Sequence, residues 1–268
     1  MRRRILGAVL ALMLVLSATA RPAFAEGEDT GGNQYYQKFV DILISLLDKG
    51  RDGSYTAQEI AELVQQLIGA TNAANVDLLT RLDNELTNDI KGQAQAALTK
   101  VEMLRRPETA GVALNSIHDA AHRAMSHIGT VRHSDVALDA VGKAMITLFT
   151  ELDAAYTVID ADEGTTFVVL QRRYFRLGLE NLIREMNTDC YHGGLPSAGL
   201  ATYTCYYGGD SARAEFWAGS GTYTINGGPP ITGAIDYRLV EETLMRGTAR
   251  PLAQQALDNL IRAGVTLP

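Results

Sequence analysis

The stretch SDVALDAVGKAMITLFTELDAAYTVID, residues 134–160, decides the fold class. Leu138, Val141, Met145, Leu148, Leu152, Ala155 and Ile159 step by three and four, the spacing that lines side chains along one face of an α-helix. Ser134 stands where a cap belongs, its hydroxyl placed to accept a backbone N–H of the first turn. Helices in proteins owe most of their stability to packing of the apolar face, so this stretch demands partners. The sequence on either side supplies them.

Upstream, Leu79, Leu82, Leu86, Ile90, Gln93, Ala97, Val101 and Leu104 form a second stripe, which predicts one long helix over 73–105, ended by Pro107. At 1.5 Å per residue such a helix would span about 45 Å. A third is predicted over 110–128, with Leu114, Ile117, Ala121, Met125 and Ile128 inward, and a fourth over 165–187. The links between them, Arg106-Pro107-Glu108 and residues 129–133, are short and polar, as between antiparallel neighbours in a bundle.

After Asn187 the composition changes to Gly, Tyr, Thr and Ser, and Ala201–Tyr207 and Arg213–Ile225 favour short strands separated by Gly-Gly turns. Cys190 and Cys205 are the whole cysteine set, and in an oxidising compartment they are expected to pair. Two closing helices are predicted over 235–246 and 251–263, with Pro251 in the first turn of the second. The expected architecture is mainly α: an elongated antiparallel helix bundle over 26–187, then a small disulfide-pinned β segment and two closing helices over 188–268, packed on the bundle.

At the N-terminus, Arg2, Arg3 and Arg4 precede an apolar run from Ile5 to Leu16, followed by small residues ending Ala23-Phe24-Ala25. That order is a signal peptide's, with cleavage expected after Ala25 and the mature chain secreted. The apolar run is shorter than the roughly 20 residues that span a bilayer, so no membrane span is expected in the mature chain. Cleavage removes Arg2, Arg3, Arg4 and Arg21 and no acid, so the formal charge of −7 becomes −11. An acidic surface repels phosphate backbones, which argues against nucleic acid as a partner.

One segment carries a metal-ligand pattern. In Asp48-Lys49-Gly50-Arg51-Asp52-Gly53-Ser54-Tyr55-Thr56-Ala57-Gln58-Glu59, oxygen-bearing residues fall at positions 1, 5, 7, 9 and 12 around a glycine at 6. Val40, Leu43, Ile44 and Leu47 before it, and Ile60, Leu63, Val64 and Leu67 after it, form two inward-facing stripes. Over residues 36–68 this resembles an EF-hand calcium loop. The resemblance implies a low-affinity structural calcium site of Asp48, Asp52, Ser54 (through its carbonyl), Thr56 and Glu59. The sequence departs from the family at Gly50, where a side-chain oxygen is usual, and at Tyr55, where an aliphatic is usual.

His118-Asp119-Ala120-Ala121-His122 places two histidines four apart on one helix face with an acid between them. That spacing is similar to the His-Glu-x-x-His helix of zinc proteases and gives an alternative reading as a zinc-dependent hydrolase, with His118 and His122 as ligands and Asp119 as base. A competing reading makes both histidines half-buried interface residues. Tyr191, Tyr203, Tyr206, Tyr207, Phe216, Trp217 and Tyr223 crowd the glycine-rich segment. They are expected either to stack on glycans or a partner protein, or to form the core of a small sheet. No nucleophile elbow, phosphate loop or dinucleotide fingerprint is present. The whole reads as a secreted binding or structural protein rather than an enzyme, its partner an extracellular protein or glycan.

Overall fold

The computed structural model describes residues 33–52, 55–163 and 167–268. The expected signal peptide and cleavage site lie outside the described residues. Eight α-helices are present among the described residues: α1 (Asn33–Asp52), α2 (Ala57–Arg81), α3 (Asn88–Leu98), α4 (Pro107–Val131), α5 (Asp135–Glu163), α6 (Phe167–Glu185), α7 (Tyr237–Met245) and α8 (Ala249–Arg262). Between α6 and α7 run five strands, β1 (Asp189–Leu195), β2 (Leu200–Tyr207), β3 (Asp210–Trp217), β4 (Thr222–Ile225) and β5 (Ile231–Thr232). The fold is therefore mainly α with a small antiparallel sheet. None of the described helices is long and apolar enough to cross a membrane.

Helix α5 is the axis of the bundle, in contact with α1, α2, α4, α6 and α8. Ser134 caps it, its Oγ 3.4 Å from the Ala137 amide and its carbonyl accepting the Leu138 amide at 2.8 Å. The expected stripe is buried from Leu138 to Ala155, with Ile159 partly exposed. Burial goes further than a stripe, because every residue from Val141 to Ala155 is inside. Lys143, Thr147, Thr150, Glu151 and Asp153, which the sequence places on the polar side, are thus enclosed.

The single helix expected over 73–105 is instead broken. Helix α2 stops at Arg81, α3 covers only Asn88–Leu98, and a 3-10 turn takes Val101–Arg105. Side-chain hydrogen bonds that compete with the helical ladder mark the break. Asn84 accepts from the Leu86 amide and donates to the Arg81 carbonyl, while the Thr87 hydroxyl donates to the Leu82 carbonyl. At its other end α2 begins at Ala57 and runs without interruption past residue 73. Helices α4, α6, α7 and α8 lie where periodicity places them, within a few residues at each end.

The sheet is a meander, β1-β2-β3-β4-β5, all neighbours antiparallel. Cys190 and Cys205 are direct cross-strand partners and are joined by a disulfide. Helix α7 covers one face, where Val240 packs on Tyr203, Cys205, Ala212, Ala214, Tyr223 and Ile225. The β2–β3 hairpin turns on Gly208 and Gly209, at φ +61° and +91°, as a two-residue turn of this hand requires. Its tip holds the sheet to the bundle: the Gly208 amide donates to Asp135 Oδ2 at 2.9 Å, and the buried Tyr207 hydroxyl donates to the Asp135 carbonyl at 3.3 Å.

Candidate functional site

Strand alternation gives the sheet two chemically different faces. On the α7 side, Tyr203 and Tyr223 are buried, which is the core role expected of tyrosines in a small sheet. The other face carries Tyr191 (62 % exposed), Leu195 (61 %), Tyr206 (50 %) and Trp217 (46 %). The aromatic segment thus divides between a buried and an open face, which the sequence could not assign because strand register was unknown.

The register arranges the open face in cross-strand rows. Leu195, Leu200, Trp217, Thr222 and Thr232 form one, Gly193, Thr202, Glu215 and Thr224 the next, then Tyr191, Thr204 and Arg213, and last Asp189, Tyr206 and Ser211. The Trp217 and Tyr206 rows stand six residues apart along β2, about 20 Å at the rise of a strand. Tyr191 and Tyr206 hold their rings 6.2 Å apart at 60°. Between the aromatic ends lie the half-buried Thr204 and Thr224, the buried Thr202 and one ion pair, Arg213 to Glu215 at 2.9 Å. Gly193 keeps the middle bare, since a Cβ there would lie 2.9 Å from Thr202 Oγ1.

The described residues of the expected calcium loop fall at the end of α1 and the start of α2. Helix α1 runs to Asp52, four residues past the point where the resemblance starts the loop, so Asp48 and Asp52 are one helical turn apart. Asp48 is exposed; Ser54, Gly53 and the Asp52 side chain lie outside the described residues. Thr56 and Glu59 are engaged with each other in a capping box, the Glu59 carboxylate accepting from the Thr56 amide at 2.9 Å and the Glu59 amide donating to the Thr56 hydroxyl at 3.2 Å. Lys49 is ion-paired to the same carboxylate. The Lys49 ammonium and then the Thr56 bonds hold the Glu59 carboxyl down at about 2.

His118 and His122 share a face of α4, ring centroids 4.4 Å apart. His122 Nε2 lies 2.7 Å from Gln171 Oε1, and its ring meets Phe149 and Tyr174 edge-on. Burial pushes its pKa down. Asp119 lies beside His118 at 3.4 Å and is mostly exposed. His127 bonds the Leu86 carbonyl at 2.8 Å. Among the described residues no third His, Cys, Asp or Glu converges with this pair, and His122 is half-buried between α4 and α6. The one such convergence, Cys190, Cys205 and Glu241, consists of the disulfide and a neighbouring acid.

Compared with known proteins, the chain matches no family model, no curated protein and no solved structure.

Proposed function

We propose that this chain is an exported binding protein whose helical bundle carries a small sheet, and that the open face of the sheet takes an uncharged glycan. The observation that carries the reading is the set of exposed rings, Trp217 at one end and Tyr191 with Tyr206 at the other, separated by threonines. Sugar rings have an apolar C–H face that stacks on an aromatic and an equatorial belt of hydroxyls that seeks hydrogen bonds. Rings and hydroxyls in adjacent rows match both. A protein partner would call for a continuous apolar core within the patch, which the threonine rows interrupt. The face's central charges, Arg213 and Glu215, neutralise each other, and the expected acidity of the mature chain disfavours anionic ligands.

The test is retention on insoluble neutral polysaccharides, together with quenching of the single tryptophan by their soluble oligomers. Trp217→Ala and Tyr206→Ala should each weaken binding roughly tenfold, about 1.4 kcal/mol, whereas Val112→Ala on α4 should not. Binding to no member of the panel, or equal binding by all variants, would remove the glycan reading.

A further inference from the structure

Glu151 is fully buried in the middle of α5. Its Oε1 accepts from the Thr71 hydroxyl of α2 at 2.7 Å, and its Oε2 has no partner among the described residues. The two helices are antiparallel here, since Thr71 meets Glu151 and, further along, Arg81 meets Asp139. Asn75 lies one turn from Thr71 along α2, and Thr147 one turn from Glu151 along α5. Asn75 Oδ1 and Thr147 Oγ1 are also buried without partners among the described residues.

The charges on the elements around α5 are committed elsewhere or lie at the surface. Asp77 and Arg81 of α2 bond each other at 2.7 Å, Arg172 of α6 bonds Asp153 at 3.0 Å, and Lys143 bonds Asp139 and the Gly247 carbonyl, both at 2.9 Å. His122 of α4 is turned to Gln171, and Lys91 of α3 pairs with Asp83. Lys38 and Asp41 of α1, Glu102 and Arg105 of the 3-10 turn, and Asp258 and Arg262 of α8 are exposed, with Arg250 half-buried at the start of α8.

An ionised carboxylate in this setting would be a buried charge with one hydroxyl donor, its second oxygen without a partner among the described residues. Such a charge costs several kcal/mol and is relieved by taking up a proton. The proton also turns one carboxyl oxygen from an acceptor without a donor into a donor. We propose that Glu151 is held as the neutral acid in the folded protein and acts as a proton-operated latch between α2 and α5. Burial pushes its carboxyl up to about 8 from the ordinary 4.5, the Thr71 bond pulling the other way.

A group that binds its proton more tightly when folded contributes fully below its unfolded value. Here that contribution declines from pH 4.5 and is gone above about pH 8. Within that window Glu151 should raise the unfolding constant roughly tenfold per pH unit.

Urea unfolding of the wild type and of Glu151→Gln from pH 5 to 9, at constant ionic strength in sodium, potassium or calcium chloride, tests the latch. The expected result is a wild-type stability that falls with pH relative to the variant and levels off near pH 8, independent of the cation. Parallel pH profiles would overturn it. So would a wild-type slope abolished by one particular cation, because an ion rather than a proton would then occupy the seam. Should Glu151→Gln fail to fold, carboxyl-carbon NMR of the wild type decides: one glutamate titrating far above the rest supports the latch, and none doing so overturns it.

Discussion

Thr56 and Glu59 hold each other at the start of α2, and Lys49 closes over them from the end of α1. A capping box of this kind stabilises whether or not a metal is near, so Thr56→Ala should cost about 1 kcal/mol in urea unfolding with or without calcium. A calcium site built on the same glutamate makes a different demand. Millimolar calcium should raise the thermal midpoint of the wild type and not of Glu59→Gln, and a midpoint unmoved by calcium would leave the capping box as the segment's whole role. The twelve-residue spacing was legible in the sequence. The continuation of α1 to Asp52 was not, because Lys49-Gly50-Arg51-Asp52 reads as loop chemistry. Glu151 was equally hidden: it stands on the polar side of an amphipathic pattern, and nothing local reveals that neighbouring helices close over that side too.

At the scale of elements, the points of closest helix approach are fixed by glycine. A Cβ on Gly142 of α5 would lie 2.8 Å from both the Ala249 Cβ of α8 and Leu182 Cδ2 of α6. Ala249 has no rotamer with which to yield, so Gly142→Ala should destabilise by roughly 1–3 kcal/mol through overpacking. Gly111 in α4 faces open space, and Gly111→Ala should stabilise by roughly 0.5–1 kcal/mol. The pair of urea curves, moving in opposite directions, checks the crossing geometry. Apolar periodicity located most helices because burial follows it. It failed over 73–105, where the stripe persists through Leu82 and Leu86 although Asn84 and Thr87 turn the backbone out of the helix. Strand β1 was not distinguished either, since Cys-Tyr-His-Gly-Gly has no alternating pattern and is held by pairing to β2.

For the whole molecule, the sheet keeps its own apolar core on α7, separate from the bundle's. The disulfide lies entirely within it, joining cysteines 15 residues apart. Closing a loop of that length stabilises by about 3 kcal/mol in the chain-entropy account. Reduction should therefore lower the transition seen by Trp217 fluorescence, on β3, well before that seen by helical circular dichroism. Coincident transitions under reducing conditions would mean that sheet and bundle melt as one unit.

The bundle also joins the first and last helices of the described chain. The first helix lies parallel to the last, with Asn33 Nδ2 donating to the Arg246 and Thr248 carbonyls at 2.9 and 2.8 Å and Gln37 bonding Gln255 at 3.0 Å. Synthesis proceeds from the N-terminus, so α1 waits for its contacts with α8 until that helix has been made. Such long-range closure slows folding and leaves the nascent chain exposed to misassociation for the whole of its elongation. A stop codon that removed α8 would thus uncover α1 as well as α5 and α6.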